Sequence, residues 1–484
     1  MTVLAESLIK VREHRDVQNR YNRKYTRHFH LRGGNDVVFI EKHDSMENTQ
    51  AVQDATSGKA TDATAPVSGN RSISPAPGSG GYFIFLVIYL ALLSAFGSFV
   101  NDMYLPTLPA MKRAFMCSTS TVQLGLTFGM IGLGVGELIL GPLSDRFGRK
   151  PILLGALIVF CIGAAASVYS PTIHVFLWWR LVQGLGASGG YFLARTIPAD
   201  LYAGRQLAKV MALVGAINGF APASAPVIGG LVADSIGWRG IFWILFGFSA
   251  LLLLLSPALK ESLPKNRRVT GRFGAAFLNY GHLVRNRRFV IHVLLKGAAL
   301  GVLFAYISSA PFIIQTHYGY TQLQFGLWMG LNALLVAAGA TSALKFHPLK
   351  KSAVIGARCL LLIAFAQLMF FLFYDRFWIY ETLNLPMLFC LGMLFTVGNT
   401  LAMNEGRACA GDASALIGLG GYIFGAIVSP LVGMGNMLHS TGIVIASLSL
   451  IVLLFAHLSK ALPVELDSNK SNEILPDSKP DSKN

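Results

Sequence analysis

Along residues 82–460, apolar runs recur at close to the length needed to cross ~30 Å of hydrocarbon, and short polar breaks separate them. The runs are continuous rather than alternating at every second position, and Leu, Ala, Gly and Phe dominate them, which predicts helices rather than barrel strands. Spans are expected near 82–104, 119–141, 151–170, 174–195, 206–233, 238–259, 289–313, 323–345, 352–374, 383–405, 413–436 and 440–459. The fold class is therefore all-α integral membrane, with twelve transmembrane helices. A longer polar break, Lys260 to Arg288 with "KESLPKNRRVTGRF", divides the apolar region into two sets of six.

The halves look related. Pro226 is followed by Gly229 and Gly230 in the fifth span, and Pro430 by Gly433 in the eleventh, at nearly the same offset from each half's start. Repeated halves with a cavity between them near the midplane are the usual build of secondary transporters. The expected organisation is a disordered cytoplasmic tail over 1–80, a six-helix bundle over 81–260, a cytoplasmic linker over 261–288, a second bundle over 289–460 and a disordered tail over 461–484.

Composition agrees: 53% of residues are hydrophobic and only 13% charged, with a mean hydropathy of +0.53. The net charge of +16 would invite nucleic acid on a soluble chain, but here the cations sit in particular connections. Arg146, Arg149, Lys150, Arg205, Lys209, the Lys260–Arg288 break, Lys345, Lys350 and Lys351 fall on one side; Lys112, Arg113, Arg239 and Arg376 fall on the other. The positive-inside rule then places both termini in the cytoplasm and makes the lipid bilayer, not nucleic acid, the partner. Residues 1–80 carry mixed charge and then Ser, Thr, Ala, Gly and Pro; a solvated extension is expected, with Met46 a possible true start and the basic first third able to touch anionic lipid. No apolar run precedes residue 82, so no signal peptide is expected. Cys117, Cys161, Cys359, Cys390 and Cys409 show no metal spacing and read as small apolar filler.

The most specific motif is "GPLSDRFGRKP", Gly141 to Pro151, between the second and third spans. With Gly141, Asp145, Arg146, Gly148, Arg149 and Lys150 at this spacing, it resembles the loop signature of the major facilitator superfamily. Gly148 permits a tight reversal, and Asp145 can pair with a helix N-terminus or with a base across the interface of the halves, closing the cytoplasmic side. "FLWWRLVQGLGASGG" in the fourth span is similar to the same family's in-membrane arginine followed by Gln-Gly-x-Gly. Arg180 is costly in hydrocarbon and should face the interior with an acceptor; a carboxylate beside it would release its proton more readily. The alternative is a snorkelling residue near Trp178 and Trp179.

In the fifth span, "AINGFAPASAPVIGGLVAD" resembles the proline-glycine motif of the family's antiporters, with Pro222, Pro226, Gly229 and Gly230. Ala221 and Ala225 stand where the general motif prefers glycine, as in the bicyclomycin/chloramphenicol-resistance branch of the drug:proton antiporters. "NDMYLPTLPAM", "ARTIPADLY", "GWRGIFWI" and "YISSAPFIIQTHYGYTQLQFG" point to the same branch. The resemblance implies the major facilitator fold, two bundles around a central cavity, and assigns Asp102 to the acid this branch carries in its first helix. An intramembrane acid is a functional hypothesis by default; the alternative is a wetted residue capping the outer loop. Ser94 stands where some distant exporters have an earlier acid. Glu137 replaces a more usual glutamine and is either a second proton site or an acid reaching toward the cytoplasm. Lys296 and His292 are expected to snorkel, Glu405 and Arg407 to sit at a cytoplasmic helix end, and "LKFHPLKK" to be a decayed copy of the loop motif.

The function expected from this resemblance is proton-coupled efflux of small amphiphilic, drug-like compounds from the cytoplasm of a bacterium across its inner membrane. Asp102, Arg180 and Glu137 would handle the proton, which is the coupling ion; no cofactor and no metal are expected. Tyr104, Gln123, Tyr191, Tyr306, Ser308 and Asn332 would line an apolar, sparsely polar cavity in a monomer. The nearest rival is an importer or a metabolite exporter on the same fold, since fold does not set substrate. A membrane-embedded sensor or enzyme is remote: no HExxH, GxSxG, Walker or paired-cysteine pattern is present, and no catalytic residue is assigned.

Overall fold

A backbone in hydrocarbon has to close its hydrogen bonds within each segment. A computed structural model describes residues 80–269, 273–343 and 348–462, and among these nearly every residue is helical, with no strand. The expected tails, apart from Gly80, Ala461 and Leu462, and the first half of "LKFHPLKK" lie outside the described residues. The long helices are α1 (Gly80–Asp102), α2 (Thr119–Phe147), α3 (Arg149–Val168), α4 (Ile173–Leu201), α5 (Gly204–Leu255), α6 (Phe273–Arg285), α7 (Arg287–Pro311), α8 (Gln322–Ser342), α9 (Leu349–Phe373), α10 (Phe377–Glu405), α11 (Ala410–Leu431) and α12 (Met437–Ala461). Polar side chains start several of them: Ser118 accepts from Thr121 N–H at 3.1 Å, and Thr321 with Gln324 forms a reciprocal capping box at 3.2 and 2.9 Å.

Ten of the described helical stretches are long and apolar enough to cross a membrane. One of them contains α5, which is two spans in a row broken at Gly237, whose φ of +64° only glycine adopts readily. α4 is 29 residues long, but Arg180, Gln183 and a run of Gly and Ser dilute its apolarity. With α5 read as two and α4 added, the twelve expected spans are all present. α6 is the exception: it lies in the expected linker and is not a crossing helix.

Several boundaries differ from the sequence reading, for one physical reason. Apolarity marks the hydrocarbon, whereas helices continue past it. α2 runs to Phe147, so most of the Gly141–Pro151 motif is helix with Pro142 inside it. α4 continues to Leu201 and carries Arg195 and Asp200. α10 begins at Phe377 and takes in Glu381.

In the first half α4 packs on α1, α2 and α3, and α5 on α1 and α3; in the second, α7 packs on α10, α11 and α12, α8 on α10, and α9 on α10 and α12. The halves meet along two helix pairs, α2 with α11 and α5 with α8. The proline-glycine segments lie in these seams in matching roles. A Cβ on Gly230 of α5 would sit 2.5 Å from Gln322 O at the start of α8, and one on Gly433, just past α11, would sit 2.8 Å from Ser120 N at the start of α2. A Cβ on Gly326 would reciprocally stand 2.5 Å from Pro226 O. These contacts hold the halves backbone to backbone at the Asp102 end. At the opposite end α5 leaves the seam: Gly215 and Gly219 have nothing within 4 Å, and most of Gly204–Phe220 is exposed.

Candidate transport site

Between the halves lies a cavity of ≈ 230 Å³. Glu137 of α2 and Tyr191 and Arg195 of α4 line it from the first half; Lys296, Leu300 and Phe304 of α7, Phe395 and Asn399 of α10, and Ser414, Gly418 and Tyr422 of α11 line it from the second. Glu137 is 3% exposed. Arg195 Nη2 stands 3.5 Å from Glu137 Oε1, and the same guanidinium lies 4.2 Å from the centroid of the Tyr191 ring. Lys296 Nζ donates to Asn399 Oδ1 at 2.8 Å. One carboxylate thus faces two cations, one from each half. Gly418 makes room for it, since a Cβ there would stand 2.8 Å from Glu137 Oε2.

Arg180 is fully buried, which overturns the snorkelling alternative. Its acceptors are neutral. Nε donates to Gly125 O and Nη2 to Val100 O, both at 3.2 Å; Nη2 also reaches Asn101 Oδ1 at 3.4 Å, and Nη1 donates to Gln183 Oε1. The guanidinium carbon lies 4.5 Å from the Tyr104 ring centroid and 5.7 Å from that of Phe242. Arg180 therefore ties α1, α2 and α4 together, and no carboxylate pairs with it among the described residues. Asp102, the last residue of α1, is half-buried, and its carboxylate makes no hydrogen bond or ion pair among the described residues. The helical stretch continues beyond it to Ala114, and Asp102 is in electrostatic reach of Tyr104 and Tyr422.

Of the six side chains expected to line the cavity, Tyr191 does so. The other five are buried in helix contacts. Tyr104 lies under Arg180. Gln123 Nε2 donates to Ser308 O across the α2–α7 contact at 2.8 Å, and Ser308 Oγ donates to Ser429 O at 3.2 Å. Tyr306 and Asn332 bond each other inside the second half at 2.7 Å. Sequence reading missed Arg195, and it placed Lys296 and His292 at a snorkelling end. Lys296 instead reaches the cavity, and His292 is 1% exposed with Nε2 2.9 Å from Ser459 Oγ. An arginine four residues beyond Tyr191, on the same helix face, was the available signal for Arg195.

The Gly141–Pro151 motif is knotted into its own half. Gly148, at φ +104°, reverses the chain between α2 and α3. Arg149 Nη1 bonds Asp145 at 2.6 Å and Ser144 Oγ at 2.6 Å, and its Nε bonds Asp200 at 2.8 Å. Glu261, from the segment after α5, accepts from the N–H groups of Arg149 and Lys150 at 2.9 and 3.2 Å, an anion seated on the N-terminus of α3. Val269 N–H donates to Asp145 O at 3.1 Å, Lys150 Nζ donates to Pro257 O at 3.0 Å, and the Arg146 guanidinium lies 5.6 Å from the Phe147 ring centroid. Asp145 thus pairs within the motif and, among the described residues, with no base across the interface of the halves.

A family model described as Major Facilitator Superfamily matches residues 90–430. The chain is 35% identical over 358 residues to an uncharacterized MFS-type transporter, YdgK, of Bacillus subtilis, covering 72% of this chain and 89% of the relative. It is 30% identical over 372 residues to a bicyclomycin resistance protein homolog of Haemophilus influenzae, covering 73% and 90%, and 34% identical over 254 residues to a chloramphenicol resistance protein of Pseudomonas aeruginosa, covering 51% and 58%. The fold is similar to that of the xylose transporter XylE of E. coli in a partially occluded inward-open conformation, with a TM-score of 0.62 at 17% identity over 79% of this chain and 98% of that one. Seams of α2 with α11 and α5 with α8 around a charged central cavity, the motif around Gly148 and these matches converge: the chain is a multi-pass membrane transporter, not an enzyme, and belongs to the major facilitator superfamily, in its bicyclomycin/chloramphenicol-resistance branch.

Proposed function

We propose that this transporter is a proton-driven exporter of small amphiphilic compounds of the chloramphenicol and bicyclomycin kind, working in the bacterial inner membrane. The observation that carries the reading is Glu137, buried in the central cavity and facing Arg195 and Lys296 from opposite halves. Ionised Glu137 offsets one of two cations that otherwise repel each other across the seam. Protonation removes that attraction, so proton occupancy and the fit of the halves are linked. A substrate that fills the cavity displaces the water that solvates the ionised acid, and this makes substrate and proton alternatives rather than companions.

The basic pair supports neutral or acidic amphiphiles over cations as substrates, and the aromatic wall of Tyr191, Phe304, Phe395 and Tyr422 supports ring-bearing ones. A potential of 100 mV contributes about 2.3 kcal/mol per charge moved, enough for a useful gradient. In this reading the bundles 81–260 and 289–460 rock as units. The cation-rich Arg149 end faces the cytoplasm with both termini, and one chain suffices because it supplies both walls of the cavity. Asp102 serves as a second acid on the path from the far side. Expression in an efflux-deficient bacterium should raise tolerance to chloramphenicol, and a protonophore should abolish the gain. Tolerance that survives the protonophore, or increased sensitivity, favours the importer and rejects this reading.

A further inference from the structure

A buried polar network lies in the second half, away from the central cavity. Asn332 Nδ2 of α8 donates to Glu381 Oε1 of α10 at 2.6 Å and lies 2.7 Å from the Tyr306 hydroxyl of α7, which in turn reaches Met329 Sδ at 3.2 Å. One turn along α10, Asn384 Oδ1 accepts from Gln367 Nε2 of α9 at 2.8 Å. Glu381 is 2% exposed and Asn332 1%. Glu381 Oε2, Asn332 Oδ1, Gln367 Oε1, Asn384 Nδ2 and the Tyr380 hydroxyl have no close hydrogen-bond partner among the described residues.

Among the described residues no cation faces this carboxyl. α7 contributes Tyr306, with Tyr318 just beyond it; α10 contributes Tyr380; α8 has no ionisable side chain. The cations of α9 lie at its other end, where Lys350 bonds Leu462 O and Arg358 meets His457. Asp412 and Tyr422 of α11 face Asn279 and the central cavity. Lys296 is held by Asn399, ten positions before Tyr306. An ionised carboxylate here would be a buried charge with no cation beside it, met only by the neutral amides of Asn332 and Asn384. A protonated carboxyl removes that unpaired charge and adds an O–H donor to a cluster in which Asn332 Oδ1 and Gln367 Oε1 are acceptors without partners.

The network is also wired to the seam. Two residues before Asn332, Gly330 packs on α5, where a Cβ would stand 3.0 Å from Ala223 O and 2.9 Å from Val227 Cγ2. Parting α8 from α5 shifts the helix that holds Asn332. We propose that Glu381 is a further proton-carrying site, besides Glu137 and Asp102, which holds its proton while α5 and α8 are together and releases it when they part. The release step rests on the proton-driven export proposed above; the protonated state does not.

The test is infrared difference spectroscopy of the purified, full-length transporter in nanodiscs, native minus Glu381→Gln. The expected result is loss of one protonated-carboxyl C=O band in the variant; an unchanged band region overturns the inference. Should the glutamine variant not fold, Glu381→Asp serves, with a shifted band expected and an unshifted one contradicting. In vesicles given chloramphenicol, the variant should move one proton fewer per substrate. A native ratio retained in the variant overturns the release step, whereas native vesicles with no proton flux at all would reject the export reading and leave the band to decide protonation.

Discussion

Arg195 Nη2 approaches Glu137 Oε1 to 3.5 Å from a neighbouring helix of the same half, while Lys296 enters the cavity from the other half. The asymmetry matters for both charge and motion. In the proposed rocking of the halves the arginine would stay with its acid, and the lysine would not have to.

Substrate charge should follow from this basic pair. Lys296→Glu is expected to shift preference from chloramphenicol toward ethidium by roughly tenfold, equivalent to about 1.4 kcal/mol. Parallel susceptibility panels for the two compounds check it. Lys296→Arg should change the ratio little.

Arg180 should behave as a structural tie. Arg180→Ala leaves Gln183, Asn101 and the carbonyls of Gly125 and Val100 short of donors at a fully buried point, at a cost of about 2–4 kcal/mol. Arg180→Lys keeps the charge but loses the planar fork that spans three helices. Both should lower the thermal midpoint of the purified protein, the alanine variant more. A midpoint equal to native in Arg180→Ala would remove this role.

Gly148→Ala should damage the motif twice. The φ of +104° is strained for any side chain by about 1–3 kcal/mol, and the new Cβ would lie 2.5 Å from Arg268 Nη2 and 2.6 Å from Glu261 Oε2. Transport is expected to fall at least tenfold with the protein still in the membrane. Glu261→Gln, which keeps an acceptor at the α3 N-terminus but not the charge, should fall less. Membrane level and efflux are measured together.

The α5–α8 seam predicts a conformational variant. A side chain at Gly326 meets Pro226 O, so Gly326→Leu should force the Asp102 end apart. Spin labels at Ala110 and Thr321, both lining a second cavity between the halves at that end, should report a longer distance than in the native seam. An unchanged distance would mean the contact does not hold that end shut.

The sequence was legible where membrane physics leaves a mark. Charge asymmetry, span length, the Gly148 reversal and the Pro226–Gly230 segment could all be read, because each follows from local chemistry. Helix faces could not. In a soluble protein, polarity tells the inside from the outside, but lipid and helix core are equally apolar, so nothing local distinguished Tyr191, which lines the cavity, from Tyr306 or Gln123, which do not. Glu381 lay before the expected start of its span, and Lys296 looked like a residue of a basic helix end. Only the packing of distant segments showed that one is buried in a network and the other faces the cavity.

The central claim is that Glu137 links protons to substrate. Its most direct test is an imposed pH gradient across vesicles containing native or Glu137→Gln transporter, with radiolabelled chloramphenicol as the reporter. The account predicts uphill movement in native vesicles and its loss in the variant, with downhill exchange retained. Equal uphill movement in both would contradict it.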